Sequence, residues 1–123
     1  MKIQLPDHDT DEVYLCGLIL PTGALQHTIV VPGDAEPDSW DHQMQWAHDD
    51  GFDLLNRIEH AFAWEKARGL FDPVEYWSNT PNDNPDHRGA AWYQHFGYGF
   101  QENADKNCKL YARRCRRVIV QGE

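Results

Sequence analysis

The sequence predicts an α+β domain in which two helices pack on a twisted antiparallel sheet. Three observations carry that expectation. Two β-branched apolar runs open the chain, helix start signals follow at Ser39 and Asn56, and from Val74 onward apolar and polar residues alternate with the period of a strand. Strands, then helices, then strands is the segregated order of an α+β fold rather than the alternation of βαβ units. With 123 residues, no internal repeat and no long linker, residues 1–123 are expected to form one domain.

The first run, EVYLCGLIL at residues 12–20, ends at PTG, and the second, QHTIVV at 26–31, ends at PGD. The connection at residues 21–25 is hairpin-sized, so an antiparallel pair is expected. PGDAEPDS then reads as a turn-rich link to a helix. Ser39 is a good cap for WDHQMQWAHDDG, where Trp40, Met44 and Ala47 fall at helical spacing, Asp41 meets the positive end of the dipole and Gly51 can close the end. NRIE, beginning at Asn56, is an Asn-led capping box with Glu59 placed to reach back. Ile58, Ala61, Phe62 and Glu65 trace one face of this second helix, Trp64 flanks it, and Gly69 stops it.

Three β-patterned runs follow: VEYWS, AAWYQHF and LYARRCRRVIV. A Pro/Asn/Asp loop separates the first two, and the polar stretch QENADKNCK precedes the third. In the middle run Trp92, Gln94 and Phe96 share one side and Ala91, Tyr93 and His95 the other. The GYG at 97–99 is a tight bend that needs glycine. Arginines at 113, 114, 116 and 117 put cation on both faces of the last strand, so carboxylates or water must meet them.

YWSNT at 76–80 and AWYQHFGYGF at 91–100 hold seven of the fifteen aromatic residues. Each aromatic side chain hides roughly 150–250 Å² when buried, so a small domain needs most of them inside. Most of these rings are therefore expected in the core. Tyr93, His95 and Tyr98 lie on the other face or at the bend.

The net charge of −9 is uneven: residues 1–56 hold eleven acids against Lys2 alone, and residues 57–123 hold nine acids against ten bases. A field of that sign argues against direct binding to nucleic acid or an anionic membrane and suits a basic protein surface. No apolar run reaches the roughly 18 residues of a membrane span, and MKIQLPDHDTDE lacks a secretory signature. Cys16, Cys108 and Cys115 form no CxxC pair and are too few for a disulfide framework.

SWDHQMQWAHDDG, LLNRIEHAF, YWSNT, AWYQHFGYGFQ and YARRCRRV, in that order over roughly residues 14–120, resemble the Lcl carboxy-terminal domain family. That resemblance implies a C-type-lectin-like fold of the compact kind found in bacteriophages and prophages. It makes Tyr76, Trp77, Trp92 and Phe96 carriers of the fold. The chain departs from the family by reading LLN where LPT is usual before the second helix, and ARRCR where a VRCVR-like last strand is common. Location in a host cytoplasm or on a virion is the matching expectation.

Calcium-dependent sugar binding needs paired oxygens from a loop and the next strand. The loop offers Asn82, Asp83, Asn84 and Asp86, but AWYQHF brings no acid. No HExxH occurs, His42 and His48 are six apart, and no GxSxG appears, so neither a metal, a cofactor nor an enzymatic activity is expected. The expected function is a binding module whose loops 79–90 and 97–108 present Asn82, Asp83, His87, Tyr93, His95 and Tyr98 to a protein or glycan. The alternative is an acidic inhibitor of a basic nucleic-acid-binding defence complex of a host, of the anti-CRISPR or anti-restriction type, acting through Asp34, Glu36, Asp38, Asp41, Asp49, Asp50 and Asp53.

Overall fold

The computed structural model describes residues 3–121. β1 (Val13–Ile19) and β2 (Leu25–Asp38) form the expected hairpin, with Ile19 opposite Leu25. β2 is twice the expected length. PGDAEPD is not a link but the second half of this 14-residue strand, because its backbone continues to pair with the last strand, Asp34 facing Arg113 and Asp38 facing Leu110. Irregularities between Val30 and Asp34 and between Ala35 and Asp38 take up the prolines, and Gly33 there sits at φ +96°.

α1 (Trp40–Asp49) starts where the sequence says, with Ser39 Oγ accepting from the His42 amide at 3.3 Å. After β3 (Asp53–Leu54), α2 (Arg57–Ala67) begins with the full capping box: Asn56 Oδ1 accepts from the Glu59 amide and Glu59 Oε1 from the Asn56 amide, both at 2.8 Å. The face it buries is not the expected one. Ile58 is 65% exposed, and Ala61, Phe62 and Glu65 also face outward, while Glu59, His60 and Ala63 are buried. The reason is electrostatic: Glu59 turns inward to meet Arg117, and that contact sets the rotation of the helix.

β4 (Glu75–Pro81), β5 (Ala90–His95), β6 (Gln101–Asp105) and β7 (Leu110–Val120) complete a sheet ordered β1-β2-β7-β4-β5-β6, with β3 also pairing to β7. Two expectations are corrected here. The sheet is mixed rather than wholly antiparallel, because β7 inserts between β2 and β4 instead of adding beside β6, and it meets β4 in parallel at Tyr76 and Tyr111. The stretch QENADKNCK is not all loop: QENAD is β6, an edge strand, where polar residues suit one exposed side.

Adjacent residues of a strand point to opposite faces, and the sheet uses both. Tyr76 joins a cluster with Leu15, Val30, Leu55, Ala63, Phe96 and Cys115 under α2. Trp77 joins Ala47, Leu54, Ala91 and Ala112 under α1. Both rings are fully buried. Trp92 is only half-buried, with the Arg57 guanidinium 3.5 Å from its ring centroid, so the indole is covered by a cation rather than by the core.

All four arginines of β7 are paired with carboxylates. Arg113 meets Asp34 at 2.6 Å, Arg114 meets Asp50 at 2.6 Å, and Arg116 grips Glu12 through two nitrogens. The Arg116 guanidinium holds the Glu12 carboxyl down to about 2. Arg117 reaches deepest: it binds both oxygens of Glu59, Asp53 Oδ2 at 2.7 Å and the Leu54 carbonyl at 3.0 Å. Thr28 donates to the same Glu59 at 2.5 Å. Burial opposes the Glu59 charge, but these donors outweigh it and leave the carboxyl below its ordinary range.

Cys16 lies opposite Thr28 on one edge of β2, and Cys115 opposite Val30 on the other. A strand therefore separates them, roughly 10 Å in the hydrogen-bonding direction, beyond the roughly 7 Å limit of a disulfide. Burial pushes both thiols up, and Cys108 is exposed.

Candidate binding surface

The five residues 96–100 join β5 to β6 in a turn that the sequence locks in place. The His95 amide donates to the Phe100 carbonyl and the Gly99 amide to the His95 carbonyl, both at 2.8 Å. His95 Nδ1 accepts from the amides of Gly97 at 2.9 Å and Tyr98 at 3.2 Å, which places its ring proton on Nε2. Gly99 sits at φ +87° against Trp64, where a Cβ would come within 2.4 Å of the indole. Glycine is required there on both counts.

This turn assembles a run of stacked rings. His95 stacks on Tyr98 with centroids 4.8 Å apart and on Phe100 at 5.1 Å, and Phe100 meets Tyr93 edge-on at 6.2 Å. Tyr98 is 80% exposed and Phe100 43%. Tyr93 packs by its inner side on the α1 cluster, so the run starts in the core and ends in solvent.

The sheet register sets two carboxylates beside the rings. Glu75 on β4 is directly opposite His95, and Glu102 on β6 directly opposite Tyr93. Residues directly opposite share a face. The Tyr93 phenol is accordingly raised, first by burial and then by Glu75 and Glu102.

Of the six residues expected to bind, Tyr93, His95 and Tyr98 come together. Asn82, Asp83 and His87 do not join them, because residues 82–89 connect β4 to β5 at the far end of β5. A six-residue strand puts on the order of 17–20 Å between the two ends. At that far end Asn82 Nδ2 donates to Asn103 Oδ1, Asn84 caps the short turn Pro85–His87, and Asp83 and His87 are exposed. Phe100, Glu75 and Glu102 are the surface residues the sequence reading missed. Glu102 was hidden by the unrecognised β6, whose register places it.

The seven acids of the alternative surface are partly spoken for. Asp34, Asp50 and Asp53 face Arg113, Arg114 and Arg117. Asp38 accepts from the Ser39 amide and lies 3.2 Å from His42, and Asp49 accepts from Gln45. Glu36 and Asp41 are exposed. Among the described residues, no three of His, Cys, Asp and Glu come together to hold a metal ion, and no helix is long and apolar enough to cross a membrane.

Compared with known proteins, the chain matches no family model and no curated sequence.

Proposed function

We propose that the chain is a non-catalytic binding module of compact C-type-lectin-like type, which offers the rings of the β5–β6 turn to a protein partner. The observation that carries this reading is Tyr98, which stands 80% exposed while its own amide, bonded to His95 Nδ1, and its stacking on the His95 ring set its direction. A large ring held still in water presents contact area at low entropic cost on binding, which is the use made of tyrosine at recognition surfaces. The α2–sheet core beneath supplies the rigidity.

A photo-crosslinking residue placed at position 98, and separately at the exposed Lys66 on α2, tests this in cells that express the protein. The expected result is a discrete protein adduct from position 98 alone, competed by the unmodified chain but not by Tyr98→Ala. Equal labelling from both positions, or equal competition by the variant, would remove the turn as the binding surface. A Tyr98-dependent signal on a glycan array without a protein adduct would move the ligand class to sugars.

A further inference from the structure

The chain repeats one contact throughout its surface: a cation laid on an aromatic face. Arg57 covers Trp92 at 3.5 Å, Arg68 covers Trp64 at 4.0 Å, Lys106 covers Trp40 at 4.7 Å and Arg113 covers Phe71 at 5.1 Å. Arg114 serves both Trp46 at 4.4 Å and Phe52 at 5.1 Å. Five of these six contacts use arginine. Over Tyr93, Tyr98 and Phe100 no lysine or arginine of the described residues lies within such a distance. Yet two of these rings, Tyr98 and Phe100, are exposed, and beside the run stand two carboxylates in register, Glu75 and Glu102, that no basic side chain neutralises among the described residues.

We infer that the missing cation comes from outside: the surface takes an arginine side chain of a partner protein's basic segment. This deepens the proposed module by naming what it binds. The quadrupole of a ring attracts a cation to its face, and the attraction grows as neighbouring carboxylates add charge of the right sign. Arginine fits better than lysine because its planar guanidinium lies flat on a ring while its edge N–H groups remain free to donate to carboxylates. His95 contributes a ring held in place by its Nδ1, which accepts from two backbone amides. The chain's charge of −9 draws a basic segment toward it at long range, and the stack gives that segment one place to seat a side chain.

The test is an NMR titration of the intact protein with a capped Gly-Ser-Arg-Gly-Arg-Ser-Gly peptide and with its twin carrying citrulline at both arginine positions. Citrulline keeps the planar head and removes the charge. With the arginine peptide, shifts are expected at the amides of residues 95–102, together with upfield ring-current shifts of the arginine δ-methylene protons. Tyr98→Ala should abolish them, and Glu75→Gln or Glu102→Gln should each weaken binding about two- to fivefold without altering the fold. Raising salt from about 0.05 M to about 0.5 M should weaken it further. Equal binding of the citrulline peptide would overturn the cation while leaving the turn as a binding surface. Shifts confined to residues 34–53, or none at the turn, would overturn the inference outright, and the crosslink from position 98 then decides separately whether the module reading stands.

Discussion

Arg117 holds the fully buried Glu59 through two nitrogens, at 2.6 and 3.0 Å, and this one pair joins the first turn of α2 to the middle of the sheet. Removing one member strands the other. Arg117→Met should therefore cost about 3–5 kcal/mol in chemical denaturation, and the double change Glu59→Leu with Arg117→Met should cost clearly less than the two single losses added together. Additive losses would show that the two side chains act independently.

His60 beside it is a second buried titratable group, packed edge-on to Phe96, with Nδ1 left without a partner among the described residues. Burial drops its pKa from 6.5 to about 3, only partly offset by Glu59. The unfolded chain thus takes up a proton below pH 6.5 that the folded chain refuses until about pH 3, so stability falls across that window by on the order of 1 kcal/mol per pH unit. Glu12, held at about 2 by Arg116, adds a separate loss at lower pH, beginning below 4.5. Thermal melts from pH 7 to pH 4 should show a steady decline for the native chain and a flatter profile for His60→Leu.

Gly99→Ala combines a left-handed backbone with a Cβ driven into Trp64. A loss of about 2 kcal/mol or more is expected, with a change in tryptophan emission and displaced amide signals across residues 95–101. Tyr98→Ala, at an exposed position, should leave stability within about 0.5 kcal/mol. The contrast separates the scaffold of the turn from its working surface.

Asp34 and Asp41 carry the same charge in the same acidic half and should behave differently. Asp34 accepts from Arg113 at one oxygen and from the Tyr76 hydroxyl at the other, both at 2.6 Å. Asp34→Asn should cost about 1–3 kcal/mol. Asp41, exposed in the first turn of α1, should cost no more than about 1 kcal/mol as Asn, and less as salt is added.

Both helix starts were legible because each is fixed by local chemistry, Ser39 and Asn56 meeting their own backbone within three residues. The division of β5 into a Trp92–Gln94–Phe96 side and an Ala91–Tyr93–His95 side was legible because strand period admits one answer. What escaped depended on distant partners. The second half of β2 contains two prolines and a glycine and becomes a strand only when β7 pairs with it. Ile58 and Phe62 outscore Glu59 and His60 in hydrophobicity, and only the position of Arg117 reverses that order. Half of the candidate surface, Tyr93, His95 and Tyr98, was visible as an aromatic run. Glu75 and Glu102 became part of it through register, which no single segment encodes.

The three thiols described above sit in unequal surroundings, two sealed on either side of β2 and one, Cys108, in the open turn after β6. A maleimide dye or spin label would consequently attach at a single point on the native chain. That point lies beyond the far end of β6, roughly one strand length from the turn. The molecule thus carries a ready-made reporter, and the arrival of a guest at the rings can be followed by fluorescence or paramagnetic relaxation without altering any residue.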